Sequence, residues 1–413
     1  MHPTAPNGAT AHDHFEDDLN LSILGFGVDY PPYRHGPEAL ETLANRIETR
    51  ASVGYVDHPL VNQPEPPTIK QLDDNFREEG VRLSVNACKK AIDEWGGNPN
   101  EITHIVSTTC TNSANPGFDH FVRKELGIRS GVERVLLHGI GCSGGLAAIR
   151  TASNLALGSS YRKKPARVLV VACEISTLLV RSELESVDRD QAVRIGVCLF
   201  SDCASACVLS NNVGNDTGSN PVFDILGWKH EILQDTEKDL GFDVDPMGWK
   251  VILTTQVPAL ASAAVSPAFE ELTASIPSLC GPDRPRKPAD FDWALHPGGS
   301  TIITGVQQAV GLTEANLRAS YEIYMNYGNS SSATIMAVMN KLRSSEGKED
   351  VVACAFGPGI SLEMMALRRR KPATNGHVEL NGHSKTKGSS LMNGSTDTNG
   401  IPEAFGLPAE EVD

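Results

Sequence analysis

Residues 139–145 read Gly-Ile-Gly-Cys-Ser-Gly-Gly and lie between an apolar run, 135–137, and a helix-like segment, 146–152. The pattern predicts a buried strand, a tight glycine turn and a helix whose N-terminus carries Cys142. Free backbone N–H groups and the helix dipole stabilise a thiolate at such a position, and flanking glycines leave room for a substrate carbonyl. This arrangement is typical of a nucleophile elbow in which sulfur is the nucleophile. The alternative is that Cys142 is a small buried apolar residue, as most free cysteines are.

Strands and helices alternate on both sides of this turn. Buried strands are predicted at 21–28, 102–109, 166–175, 204–210, 291–295, 350–356 and 360–367. The segment 223–231 is predicted to form a hairpin with 204–210, and the pattern starts over after residue 232. The sequence therefore indicates an α/β fold with buried sheets, built of two similar halves. The predicted organisation is a disordered arm at 1–18, halves at 19–231 and 232–370, and a disordered, Gly/Ser/Asn-rich tail at 371–413.

The composition excludes several classes of function. The chain has 413 residues, 40% of them hydrophobic, which is ordinary for a soluble globular protein. A net charge of -15 argues against nucleic-acid or anionic-membrane binding, but not against a small anionic ligand such as a coenzyme A thioester. The nine cysteines form no disulfide framework or zinc-ligand spacing. No run is long enough for a membrane span, and no apolar leader begins the sequence, so a cytoplasmic protein without a metal site is expected.

Two further turns each carry one polar side chain suited to catalysis. His296 begins His-Pro-Gly-Gly after the predicted strand 291–295, and Asn329 lies in Tyr-Gly-Asn-Ser-Ser-Ser at 327–332, predicted as a second strand-to-helix turn. Ligand sites of α/β sheets lie at the carboxyl ends of strands. Taken singly, His296 could be a core or capping residue and Asn329 a turn residue. Together, a thiol, an imidazole and an amide suit acyl-thioester chemistry, with the thiol as nucleophile and the other two as donors to an enolate oxygen.

These three turns and Gly357-Pro358-Gly359 occur in an order that resembles the type III polyketide synthases, the chalcone-synthase-like condensing enzymes. The resemblance covers about residues 21–367, and the segment 108–117 is most similar to fungal members, which commonly make alkylpyrones, alkylresorcinols or alkylresorcylic acids. It implies a thiolase-like αβαβα fold and a homodimer. It also implies a CoA tunnel leading to a buried cavity, with acyl-CoA and malonyl-CoA as substrates and no metal or redox cofactor.

The resemblance also implies roles for individual residues. Cys142 would carry the growing chain, and His296 would lower its pKa as an ion-pair partner and, with Asn329, stabilise the enolate formed from malonyl-CoA. The implied gate and cavity residues are Phe200, Leu179, Val251, Ser331, Cys110, Gly357, Pro358 and Gly359. A core aromatic remains the alternative for Phe200. Asn115 would cross the dimer interface. Arg46 and Arg50 would bind CoA, although two arginines at a helix end are often only solvated.

Two departures from the plant pattern bear on the substrate. Leu179 stands where chalcone synthases carry a small polar residue, and Val251 stands where they carry a second gatekeeper Phe. Both changes favour a medium- or long-chain fatty acyl-CoA starter, extended by two or three malonyl units. One alternative is an enzyme like ketoacyl-ACP synthase III, which makes a single condensation but usually has a His-Gln-Ala-Asn turn. Another is a non-catalytic acyl-CoA-binding homologue that retains the fold.

Overall fold

The computed structural model describes residues 19–32, 63, 65–191, 195–214, 220–245, 248–279 and 286–370. The predicted arm at 1–18 and tail at 371–413 lie outside these residues, as do Arg46 and Arg50. The described helices are α1 (Ile69–Asn75), α2 (Val81–Trp95), α3 (Phe118–Glu125), α4 (Gly144–Tyr161), α5 (Val180–Asp190), α6 (Gly196–Leu199), α7 (Val257–Ala274), α8 (Ser300–Ala309), α9 (Glu314–Tyr327) and α10 (Thr334–Arg343). A π-helical turn, Phe76–Gly80, joins α1 to α2.

The described strands are β1 (Leu21–Asp29), β2 (His104–Thr108), β3 (Glu133–Leu137), β4 (Arg167–Glu174), β5 (Cys203–Ser210), β6 (Phe223–Ile232), β7 (Leu240–Asp245), β8 (Gly248–Leu253), β9 (Asp292–Leu295), β10 (Asp350–Gly357) and β11 (Ser361–Arg369). Nine of them form one sheet in the order β3-β2-β4-β5-β1-β6-β11-β10-β9, while β7 and β8 form a separate hairpin.

The order of strands repeats within the large sheet. In the first part, β2 is parallel to β4, and β5 is antiparallel to both β4 and β1. In the second, β9 is parallel to β10, and β11 is antiparallel to both β10 and β6. The two sets meet where β1 pairs with β6. The hairpin predicted between 204–210 and 223–231 is therefore wrong, because β1 lies between β5 and β6. The boundary predicted at residue 232 stays a prediction.

The helices and the strands of the large sheet form five layers, which pack around three apolar cores. Alternate residues of the strands face a central core that contains α4 and α10, including Leu146, Ile149, Ile335 and Met339. The other faces of β2, β4 and β5 pack against α2 and α3, and those of β9, β10 and β11 pack against α7 and α8. Strands covered on both faces consist of nearly continuous apolar runs. This is the predicted αβαβα architecture of the thiolase-like fold.

Glycines in β1 permit one of these layers to pack closely. A Cβ atom on Gly27 would overlap the carbonyl oxygen of Ala87 in α2, and one on Gly25 would lie 2.6 Å from Ala91 O. The backbone of β1 therefore lies directly against α2, at a distance that no residue with a side chain allows. The tight packing fixes the position of the strand on which the two sets of strands meet.

Candidate active site

Cys142 lies where the sequence predicts it, at the start of the central helix α4. Gly139 and Gly141 have φ angles of +75° and +58°, in the left-handed region that glycine adopts at little cost. A 3-10 turn, Gly141–Ser143, then leads directly into α4. A Cβ atom on Gly145 would overlap the carbonyl oxygen of Ser332. The glycines therefore bring the nucleophile turn against the turn that begins α10.

His296 follows the last residue of β9 and is buried. Its backbone N–H donates to Cys354 O in β10 at 2.8 Å, which extends the parallel pairing of the two strands by one residue. Its side chain faces an interior region in which neither ring nitrogen has a hydrogen-bond partner among the described residues. The imidazole is thus held by packing, and no described residue occupies either nitrogen through a hydrogen bond.

Asn329 is also buried, but it does not follow a strand. Helix α9 ends at Tyr327, and Asn329 makes one isolated parallel bridge with Phe200 before the 3-10 turn that begins α10. The turn at 327–332 therefore joins two helices, which corrects the predicted strand-to-helix turn. The cause is local: Thr313 and Asn316 form a capping box that starts α9, and the helix continues up to the turn.

The Asn329 side chain links the other two turns. Its Oδ1 accepts the Ser331 N–H at 2.8 Å, which fixes the orientation of the amide. Its Nδ2 donates to Gly298 O at 3.3 Å, two residues after His296. The amide also acts to lower the pKa of the Cys142 thiol, which favours the thiolate. The structure thus brings the three predicted turns to one place.

Burial disfavours the charged forms of both Cys142 and His296. Burial raises the pKa of the Cys142 thiol to about 11, although hydrogen bonds from Ser331 and Asn329 act in the opposite direction. Burial lowers the pKa of His296 to about 3. A group removed from water loses the solvation of its charged form. The ion pair that the resemblance implies therefore stays a prediction, and burial acts against the charged form of each partner.

Ser331 and Cys110, predicted to line the cavity, lie beside the nucleophile. The Ser331 hydroxyl is 3.4 Å from Cys142 Sγ and 3.5 Å from Cys110 Sγ. Cys110 Sγ donates to Glu174 Oε2 at 3.3 Å. Hydrogen-bonding side chains therefore connect Cys142 to Glu174, a carboxyl group at the end of β4.

The sequence reasoning missed Glu174. Its carboxylate is fully buried and accepts hydrogen bonds from the Cys110 N–H at 3.0 Å, from Thr111 Oγ1 at 2.9 Å and from Ser332 Oγ. Burial raises the pKa of this carboxyl group. A signal was present: an acidic residue that ends an apolar strand, at the edge where ligands bind, is a candidate site residue.

The two predicted gate residues are neighbours. A Cβ atom placed on Gly196 would lie 3.0 Å from Val251 Cγ2 and 3.7 Å from Phe200 Cδ2. Backbone hydrogen bonds hold Phe200 beside Asn329, since Asn329 N donates to Leu199 O at 3.3 Å and Ser201 N donates to Asn329 O at 2.9 Å. Phe200 and Val251 therefore lie together at the margin of the site.

Leu179 lines a cavity of about 320 Å³. The apolar wall of the cavity includes Leu72, Leu178 and Trp249, and residues 111–114 form a more polar wall. Thr111 in that wall follows Cys110 directly, so the cavity begins close to the hydrogen-bonded side chains around Cys142. A larger open groove, about 1360 Å³, lies elsewhere and has none of the three candidate catalytic residues in its lining.

The loop Gly357–Pro358–Gly359 joins β10 to β11 and covers the nucleophile turn. A Cβ atom on Gly141 would lie 2.6 Å from Pro358 Cδ, and one on Gly357 would overlap Ile140 O. The Ser143 and Ser361 hydroxyls are 2.9 Å apart. These contacts leave no space between the loop and the turn.

The remaining site predictions have a different status. Asn115 is exposed on the segment between β2 and α3, so its predicted place in a dimer interface stays a prediction. Arg46 and Arg50 lie outside the described residues. Within the described ranges, no group of three or more His, Cys, Asp or Glu side chains is arranged to hold a metal ion. In the same part of the chain, no helix is both long and apolar enough to cross a membrane.

Comparisons with known proteins identify the family of the chain. The model of the chalcone and stilbene synthase N-terminal domain matches residues 51–213, and that of the C-terminal domain matches 225–370. The chain is 42% identical over 382 residues to the type III polyketide synthase pspB of Penicillium soppii, covering 84% of this chain and 96% of that protein. It is 39% identical over 375 residues to the acylalkylpyrone synthase csyB of Aspergillus oryzae, covering 85% of this chain and 94% of that one.

Solved structures with the same fold are similar over most of the chain. A fungal type III polyketide synthase, ORAS, is 52% identical with a TM-score of 0.81, covering 85% of this chain and 100% of that chain. A type III pentaketide synthase from Neurospora crassa has the same identity, TM-score and coverage. CsyB complexed with CoA-SH is 38% identical with a TM-score of 0.81, covering 84% of this chain and 100% of that chain.

Proposed function

The chain belongs to the chalcone and stilbene synthase family as a type III polyketide synthase, an acyltransferase similar to fungal alkylpyrone synthases. On this premise we propose that it condenses a fatty acyl-CoA starter with malonyl-CoA units and cyclises the product. The convergence of the Cys142, His296 and Asn329 turns carries the proposal. Asn329 contacts both other turns, and Ser331 contacts the sulfur.

The first step loads the starter onto Cys142. The sulfur attacks the carbonyl carbon of the acyl-CoA, and the thiol proton passes to the neutral imidazole of His296. Collapse of the tetrahedral intermediate forms the Cys142 thioester, and the leaving CoA thiolate takes the proton from His296. A positioned imidazole is the commonest general base in steps of this kind.

The second step forms and uses an enolate. Malonyl-CoA loses CO₂ to give the acetyl-CoA enolate, whose oxygen accepts hydrogen bonds from the His296 ring N–H and from Asn329 Nδ2. A neutral imidazole is a suitable donor, and the lowered pKa of His296 keeps it neutral. The enolate carbon then attacks the Cys142 thioester and releases the thiolate. Ser331 N–H orients the Asn329 amide for this role, and such preorganised donors stabilise developing charge.

The cavity next to the site supports a fatty starter. The cavity at Leu179 and Trp249 has an apolar wall, and Val251 leaves more space beside Phe200 than a second phenylalanine would. Each buried methylene contributes about 0.8 kcal/mol to binding, so an apolar channel favours longer acyl chains. Two or three extensions would then give alkylpyrones, alkylresorcinols or resorcylic acids. The name of csyB, an acylalkylpyrone synthase, supports the first of these.

The assembly that we propose is a homodimer in which Asn115 crosses to the partner. Its exposure and the position of the half-exposed β3 at one end of the large sheet are consistent with this. Arg46 and Arg50 would bind the CoA phosphates, and the CoA complex of CsyB supports a CoA site. The proposed steps use acyl-CoA and malonyl-CoA alone and require no metal or redox cofactor. The halves would be 19–231 and 232–370.

Product analysis tests the proposal. The purified chain is incubated with labelled malonyl-CoA and a series of starters from acetyl-CoA to stearoyl-CoA, and the product masses are read, with Cys142→Ala as the control. We expect products with two or three extensions and the highest yield from medium or long chains. A single condensation on an acyl carrier protein would favour the ketoacyl-ACP synthase alternative. Absence of malonyl-CoA decarboxylation would favour a non-catalytic acyl-CoA-binding protein.

A further inference from the structure

The connection between β6 and β7, residues 233–239, contacts the loop Gly357–Pro358–Gly359 through one buried side chain. The Thr236 hydroxyl lies 2.6 Å from Gly359 O and 2.8 Å from Leu233 O, and its single hydrogen can be donated to either. Its oxygen accepts the N–H of Ile360. Thr236 is 5% exposed, so both the donor and the acceptor function of the hydroxyl are used inside the protein.

Backbone hydrogen bonds flank this contact. Leu233 N donates to Ile360 O at 2.8 Å, and Gly359 N donates to Leu240 O at 3.2 Å. Gly359 has a φ angle of +120°, so the loop adopts a conformation that needs glycine. Thr236 supplies the hydrogen-bond partners on the two sides of this glycine peptide, at Gly359 O and Ile360 N. Replacing it by an apolar residue would leave a buried N–H without a partner.

The loop that Thr236 holds packs directly on the nucleophile turn. Gly141 packs against Pro358, and Gly357 packs against Ile140 O, so closely that neither glycine could carry a side chain. A shift of the loop must therefore move the turn that carries Cys142, since closely packed segments transmit displacement.

The same connection, residues 233–239, leads into the β7–β8 hairpin, which carries the predicted gate residue Val251. Strand β7 begins at Leu240, and its partner β8 carries Trp249 of the cavity wall and Val251 of the gate. Thr254, at the end of the hairpin, donates its N–H to Asp239 O at 2.9 Å. Residues 233–239 thus lie between the β7–β8 hairpin and the Gly357–Pro358–Gly359 loop that packs on the nucleophile turn.

We propose that Thr236 is a positioning residue for Cys142, acting through the Gly357–Pro358–Gly359 loop. This rests on the proposed function as far as acyl transfer is concerned. Thr236 touches neither the sulfur nor the other two candidate catalytic residues. Its effect is to hold the loop, and through the loop the nucleophile turn, at the distance that attack on the acyl-CoA carbonyl requires. Small misplacement of reacting groups by distant changes costs up to about 10²-fold in rate.

The test compares Thr236→Val, which keeps the shape but removes the hydroxyl, with Thr236→Ser, which keeps the hydroxyl. Thr254→Val is the matched control. The Thr254 hydroxyl donates to Asp239 Oδ1 at 2.7 Å, at the end of the same connection, and it is not bonded to the Gly357–Pro358–Gly359 loop. Thr236→Ala serves in addition, since it introduces no larger group. Two quantities are measured in the full chain: the rate of thioester formation at saturating acyl-CoA, with its KM, and the rate of Cys142 alkylation by iodoacetamide.

We expect Thr236→Val and Thr236→Ala to lower the maximal rate of thioester formation by about 10-fold to 10²-fold, with KM changed by less than about threefold, and to alter the alkylation rate. Thr236→Ser should restore both rates, and Thr254→Val should leave both near the wild-type values. Wild-type rates in Thr236→Val, or the same loss in Thr254→Val, would overturn the proposal. A wild-type protein that forms no thioester would contradict the proposed function, and the alkylation rates would still decide the role of Thr236.

Discussion

The buried, neutral imidazole of His296 makes the stability of the protein depend on pH in a definite direction. The pKa of His296 is lowered to about 3 by burial, whereas an exposed histidine has a pKa of about 6.5. Below pH 6.5 the unfolded chain therefore binds a proton that the native chain does not. The associated stability is present above pH 6.5 and is lost as the pH falls toward 3. The loss at His296 is about 2 kcal/mol between pH 7 and pH 5, and about 4 kcal/mol by pH 3.

Urea unfolding of the wild type and of His296→Gln at pH 7, 6 and 5 measures this term. Glutamine does not titrate, so the variant should lose about 2 kcal/mol less free energy of unfolding than the wild type between pH 7 and pH 5. His138→Gln, at an exposed position, controls for the exchange itself. Equal losses in wild type and His296→Gln would refute the neutral imidazole. A larger loss in the variant would indicate a charged His296 and support the ion pair with Cys142.

Three further substitutions test the assignment of roles. Asn329→Ala should slow malonyl-CoA decarboxylation by about 10²–10³-fold, the usual effect of removing one donor to an oxyanion, while starter loading on Cys142 survives. Loading is measured by intact mass, and a loss of loading as large as the loss of decarboxylation would contradict this division of roles. Val251→Phe should reduce activity on long starters more than on short ones, and an unchanged chain-length profile would mean that the channel lies elsewhere. Leu179→Ala enlarges the apolar cavity and should shift the preferred starter to longer chains, which competition between two acyl-CoAs would measure; a shift to shorter chains would speak against this wall.

The sequence was most informative where local chemistry decides the structure. Glycine and proline punctuate the turns at Cys142 and His296 so strongly that their place after a strand could be predicted from a few residues. Apolar, β-branched runs likewise predicted the buried strands. The turn at Asn329 begins where the sequence predicts it, but a helix precedes it, and the sequence signal for that helix is the capping box of Thr313 and Asn316.

Long-range pairing could not be inferred in the same way. The residues of 204–210 and 223–231 do not indicate that β1 lies between them, because this pairing depends on β1, almost 200 positions away in the sequence. The contacts of Glu174 with Cys110 depend in the same way on the parallel register of β2 and β4, where Thr108 is opposite Ala172. The pKa directions depend on burial, which only the packed structure supplies.

The central claim is that Cys142 is the residue that carries the acyl chain. The full chain is incubated with a long-chain acyl-CoA in the absence of malonyl-CoA, quenched in acid, and examined by intact mass and peptide mapping. The account predicts one acyl group per chain, bound as a thioester to the peptide that contains Cys142, and none in Cys142→Ala. An acyl group on a different cysteine, such as Cys203, or an acylated Cys142→Ala variant would contradict it.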